Sequence, residues 1–164
     1  MATLEQGTRE RAEAYAQAHN LALHPDVGGG TQGAVFFTES GSAIKVYYRE
    51  AHFLRERDVY LRLKDNGVTK IRKCNVPRLL GFDDGLHVVE MTTVVRPFLL
   101  DFASAYMDEK PGFPDDVLTE WLEEKREQFG NDWREVDLTV ANLERFGIYL
   151  VDIHPGNISL SDAD

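Results

Sequence analysis

The stretch that decides the fold is Val27-Gly28-Gly29-Gly30-Thr31-Gln32-Gly33-Ala34-Val35-Phe36-Phe37, followed by Ala43-Ile44-Lys45-Val46-Tyr47. Glycines at 28, 30 and 33, with Val35 two residues on, give the spacing G-x-G-x-x-G-x-V. Glycine turns a backbone tightly and lets N–H groups approach a phosphate with no Cβ in the way. In a dinucleotide-binding fold such glycines lie between a strand and a helix. Here strand-like sequence flanks them on both sides, so the pattern predicts a β-hairpin. Residues 34–37 form one strand, 38–42 a turn, and 43–47 the returning strand, with a single lysine in an apolar run. On the glycines alone, a flexible hairpin with no ligand is the competing reading.

Working outward, residues 48–65 read as a helix. Phe53, Glu56, Tyr60 and Leu63 are spaced 3, 4 and 3 and share one face. A carboxylate on an apolar stripe is costly unless paired. Lys45, one element earlier, is the candidate partner of Glu56; Glu50 is the alternative for that role, and a local pairing of Glu56 with Arg62 is the structural alternative. Before the glycines, residues 3–19 read as a surface helix opened by the capping-box spacing Thr3-Leu4-Glu5-Gln6. Beyond the helix, residues 76–82 and 86–91 read as a second hairpin about Asp83-Asp84-Gly85. His87 alternates with apolar residues there and reads as an exposed strand position.

The remainder is helical in pattern. Residues 97–110 are mixed and partly helical. Pro114-Asp115-Asp116 opens a helix, with Leu118, Trp121, Leu122, Lys125 and Phe129 along one side. Gly130 ends it, Asn131 caps a second helix, and Trp133, Val136, Val140 and Leu143 repeat at 3, 4 and 3. The two tryptophans read as core residues.

Composition bounds the functional classes. The 164 residues suit one domain or at most one and a half small lobes, and 43% hydrophobic content builds a core. Acids outnumber bases 28 to 18, a net charge of −10, which argues against nucleic-acid binding and reads as solubility. A single cysteine, Cys74, excludes an intramolecular disulfide and a cysteine-based zinc site within one chain. No apolar run approaches membrane-spanning length and the N-terminus lacks a signal-peptide core, so the expectation is a cytoplasmic protein with no membrane partner.

A second chemical constellation closes the sequence: Leu150-Val151-Asp152-Ile153-His154-Pro155-Gly156-Asn157. An apolar run leads into Asp152, and Asn157 follows at the spacing D-x-x-x-x-N. A carboxylate there can orient a hydroxyl and accept its proton; an amide oxygen five residues on can reach Mg²⁺. A proline-glycine turn with an Asx cap is the structural alternative.

The ordered set Gly28, Gly30, Gly33, Lys45, Glu56, Asp152 and Asn157 resembles the protein kinase-like superfamily over residues 21–160. The Asp-Ile-His-Pro-Gly-Asn wording is similar to the loop of the aminoglycoside phosphotransferase and choline kinase types. The resemblance implies an α+β fold: an N-terminal helix over 1–20, a sheet lobe over 21–95 and a reduced helical lobe over 96–164. It implies ATP and Mg²⁺ as ligands. Gly28, Gly30, Gly33 and Val35 would cover the nucleotide, Lys45 braced by Glu56 would grip its phosphates, and Met91 would lie near the gatekeeper position ahead of a hinge over 92–95. Asp152 would position a hydroxyl acceptor, small molecule or protein. His154 would touch the phosphate or substrate, or else steady the loop.

The pattern departs from the family in two places. Leu150-Val151 replaces the usual histidine-arginine pair, and the second metal-binding aspartate expected about a dozen residues after Asn157 has no matching motif. Asp162 and Asp164 are the carboxylates available there. The sequence therefore fits either a Mg²⁺-dependent phosphotransferase or a nucleotide-binding pseudokinase, with another copy or a partner protein covering a short second lobe.

Overall fold

The computed structural model describes residues 2–160, with side chains from Gln6 onward. Thr3 and Glu5 of the capping-box pattern therefore fall outside the described side chains, and Asp162 and Asp164 outside the described residues. The fold is α+β with antiparallel sheets.

The main sheet contains β1 (Leu23–Gly29), β2 (Gly33–Thr38) and β3 (Ser42–Tyr47). Helix α1 (Ala2–Ala18) precedes them, and α2 (Glu50–Asp65) follows. Two-residue strands β4 (Lys70–Ile71) and β5 (Cys74–Asn75) then lead to β6 (Leu79–Asp83) and β7 (Val88–Thr92). The sheet order is β1-β2-β3-β7-β6, antiparallel throughout. Its central strand β3 is buried at every position, as expected of a strand covered on both faces.

The two faces are covered by different helices. On one, Ala12, Tyr15 and Ala16 of α1 pack with Ala34, Phe36, Ile44, Val46 and Val88. On the other, Phe53, Val59, Tyr60 and Leu63 of α2 pack with Ala43, Tyr47, Val89 and Met91. The first arrangement differs from the surface helix that the thin apolar stripe suggests. Alanines at 12 and 16 let α1 approach the sheet closely, and Tyr15 reaches through to donate a hydrogen bond of 3.0 Å to Glu90. Glu90 also accepts from Ser42 at 2.8 Å, so this buried carboxylate is satisfied by two hydroxyls.

Residues 97–110 contain no helix. They form β8 (Phe98–Leu99) and β9 (Tyr106–Met107), separated by a sharp bend at Asp101, whose φ of 72° is left-handed. Helices α3 (Asp115–Phe129) and α4 (Trp133–Glu144) follow, joined by a single 3₁₀ turn over Gly130–Asp132. That turn makes Asp132, not Asn131, the residue before α4, and it offers no side-chain cap. Two short strands, β10 (Ile148–Tyr149) and β11 (Ile158–Ser159), are the last elements among the described residues.

The pairing of these short strands is nested. β9 pairs with β10 and β8 with β11, both antiparallel, so the helical pair leaves and returns through adjacent strands. Asp108 N–H donates to Gly147 O at 2.8 Å where it closes. One core cluster runs through both halves: Tyr47, Phe53 and Tyr60 share it with Val136, Leu143, Ile148 and Ile153.

Candidate functional site

The glycine hairpin turns between β1 and β2, where Gly30 N–H donates to Gly33 O at 3.0 Å. The three glycines differ in what a side chain would meet. A Cβ at Gly33 would run into the Val46 carbonyl, because β2 and β3 lie against each other there. A Cβ at Gly30 would meet open space, and one at Gly28 only Val35 at ordinary contact. Packing therefore demands Gly33, whereas nothing in the fold demands Gly30.

Beneath this turn lies a cavity of about 310 Å³. Gly29, Gly30 and Gly33 roof it; Val35, Ala43 and Met91 give an apolar wall; Thr92, Thr93 and Val94 close one end. Lys45, Glu56 and Asp101 stand at the polar end. Gly28 is not part of the lining. Gln32 carries the roof across to the segment after β8 by donating to Ser104 Oγ at 2.6 Å.

Lys45 and Glu56 meet as the helix spacing predicts. The Lys45 ammonium donates to both Glu56 oxygens, at 3.2 and 3.1 Å. It also donates to Asp101 Oδ1 at 3.2 Å. Glu50, the alternative brace, is exposed at the start of α2. Burial works against the charge on Lys45, but Glu56 and Asp101 outweigh it and hold its pKa above the ordinary lysine value. Glu56 is fully buried, and burial raises its pKa beyond what Lys45 takes back. One ammonium thus faces two carboxylates, an excess of negative charge at the polar end of the cavity.

Asp101 is the residue that sequence reasoning missed. Its signal was present: Phe98-Leu99-Leu100-Asp101 is an apolar run ending in a carboxylate, the same grammar as Leu150-Val151-Asp152. The kinase-like pattern sets its second carboxylate after the asparagine, whereas this fold brings one from before Asn157 to the cavity. The β8–β11 ladder sets Ile158 against Leu99, and Leu100 N–H donates to Asn157 O at 2.9 Å. Asp101 and Asn157 are thereby held on adjoining backbone.

The Asp152–Asn157 loop is internally tied. Asn157, 2% exposed, donates from Nδ2 to Asp152 O at 2.5 Å and accepts at Oδ1 from His154 N–H at 3.0 Å. Asp152 itself is exposed. His154 Nδ1 accepts from Gly156 N–H at 3.0 Å, which leaves the proton of the neutral ring on Nε2, 3.9 Å from Asp152 Oδ1. Neither Asp152 nor Asn157 lines the cavity under the glycines. His87 sits at φ 51° just before β7, its ring 5.4 Å from that of Phe53.

No helix is long and apolar enough to cross a membrane among the described residues, and no group of three or more His, Cys, Asp or Glu side chains converges there. No family model and no curated protein matches this chain.

Proposed function

We propose that the chain is a kinase-like protein that binds a Mg²⁺-nucleoside triphosphate under the glycine turn and transfers its terminal phosphate to a hydroxyl. One observation carries this reading: a buried lysine, braced by a helix glutamate, stands beside a second carboxylate at the end of a glycine-roofed cavity. The apolar wall of Val35, Ala43 and Met91 suits a flat base. The backbone of Thr93 and Val94, at the end of the cavity, would offer it hydrogen-bonding edges, whereas the Thr92 N–H is spent on Arg78 O.

The donor set fits a magnesium ion. Asp101 is a hard ligand at the cavity's polar end, and the Asn157 amide oxygen, on adjoining backbone outside the lining, would join it by giving up the His154 N–H. Magnesium takes few protein ligands and completes its shell with phosphate oxygens and water, so a two-residue set suffices. The surplus carboxylate at Lys45 also supports a cation, because a triphosphate alone would be repelled by Asp101. When bound, the metal neutralises charge on the phosphates. Asp101, not Asp162, is thus the carboxylate we assign to it. The chain's own residues do the rest: Lys45 holds the phosphates, Glu56 fixes Lys45, and Asp152 orients the acceptor hydroxyl and takes its proton.

Binding without turnover is the second reading. It is favoured by the Asn157 side chain, whose nitrogen and oxygen are both engaged within the loop. Calorimetric titration of ATP with and without Mg²⁺, with ADP release followed in parallel, separates the readings. Saturable, Mg²⁺-dependent binding with ADP release supports transfer. Binding with no ADP above the uncatalysed rate leaves the second reading. No saturation at millimolar ATP overturns both.

A further inference from the structure

A second cleft, of about 420 Å³, opens on the far side of the 150–153 segment, between α3 and α4. Trp121 and Trp133 flank it with ring centroids 6.2 Å apart, and Leu150, Val151 and Ile153 form its floor. The first half of α3 stands away from the body. Lys125 is the sole buried residue of its fifteen, while Phe113, Val117 and Leu118 are 43%, 45% and 40% exposed. A helix of this length normally buries its apolar stripe. Here the stripe is present and half of it is uncovered.

The rim is acidic. α3 carries six carboxylates against Lys125 and Arg126, of which Asp116, Glu123 and Glu127 fall on the face opposite the stripe. By helical rotation, Glu120 and Glu124 border the apolar stripe on the Val117 side and Asp115 borders it beyond Leu122. Across the cleft, Asp137 and Glu144 of α4 add two more, with Lys110 3.8 Å from Glu144. Two such faces brought together by a twofold axis would repel, so a second copy is a poor occupant.

We propose that this cleft docks a basic amphipathic helical segment of a partner protein, its apolar side against Val117, Leu118 and the contacting Trp121–Trp133 pair, and its lysines or arginines against the α3 rim. Leu150, Val151 and Ile153 form the cleft floor while Asp152 between them lies outside the lining, so docking ties a partner to this segment without placing it on the carboxylate. That the partner is also the acceptor rests on the phosphotransfer reading; the docking does not.

The test is a tryptophan-fluorescence titration of the nucleotide-free protein with three synthetic 14-residue peptides. The first has lysines with leucines at helical spacing, the second the same composition with the leucines scattered, and the third glutamates in place of lysines. Expected are saturable binding of the first, at least tenfold weaker binding of the second, and none of the third. Glu120→Lys/Glu124→Lys weakens the first peptide at least tenfold, and Leu118→Asp does likewise. The matched reversal Glu39→Lys/Asp26→Lys, in the β2–β3 turn and on strand β1 respectively, changes affinity less than twofold. Equal binding of all three peptides, indifference to the α3 reversal, or no saturation overturns the proposal. So does a wild-type dimer in light scattering that Leu118→Asp dissolves, since the chain itself would then be the occupant.

Discussion

At the scale of single residues, the Lys45–Glu56 pair sets the terms. Removing one partner of a buried pair strands the other and costs about 3–5 kcal/mol. Lys45→Met is therefore expected to be destabilised by roughly that amount, and Lys45→Met/Glu56→Leu to regain part of it, because only the half-buried Asp101 is then left without its partner. Urea denaturation of the two variants checks this; a double variant weaker than the single one contradicts the pairing. The same double variant is the proper binding control, folded but without the ammonium. Gly33→Ala should cost about 1–3 kcal/mol through its clash with β3, whereas Gly30→Ala should leave stability unchanged. Any effect of Gly30→Ala on nucleotide affinity then belongs to the ligand alone. Cys74 supplies a pH handle: burial pushes its thiol up to about 11. A pKa raised by folding stabilises the native state below the unfolded value and is lost as pH climbs through the folded one. Stability should thus fall between about pH 9 and 11, less steeply in Cys74→Ala; the slope that remains belongs to Lys45 and to the buried phenols of Tyr15, Tyr47 and Tyr60, all raised. Equal slopes in the two proteins would remove the thiol from the account.

At the scale of elements, local pattern and tertiary arrangement part company. The glycine hairpin, the lysine strand, α2 and the second hairpin were all legible, because their periodicities are strong and their turns carry Gly, Asp and Ser. The α2 stripe even revealed its buried glutamate. What could not be read was the fate of α1. Its apolar stripe is thin, and only the sheet shows that small alanines permit close approach while Tyr15 finds Glu90. Tyr15→Phe should cost about 1–3 kcal/mol, since it removes one of the two hydroxyls that satisfy a buried carboxylate. An unchanged denaturation midpoint would show that Glu90 finds water instead. Residues 97–110 were misread for a different reason: two-residue strands have no period to detect, and their partners lie far along the chain. Asp101 was hidden in the same way. Its identity was plain, but its neighbours are chosen by ladders to residues some fifty positions on.

At the scale of the whole molecule, the sheet side and the helical side share one core cluster. The division at residue 95/96 suggested by the sequence marks a change of secondary structure, and apolar packing crosses it. Calorimetry should show a single transition whose van't Hoff and calorimetric enthalpies agree. Two resolved transitions would mean that the shared cluster is not cooperative. The nested ladders have a further consequence for the order of events during synthesis. Lys45 and Asp101 stand 56 positions apart, and β11, whose ladder flanks Asp101, is made after both. A nascent chain that has emerged only as far as α4 therefore holds the lysine and its second carboxylate without the strand that steadies the latter. The amine is an early arrival in synthesis, and the support for its outer counter-charge a later one.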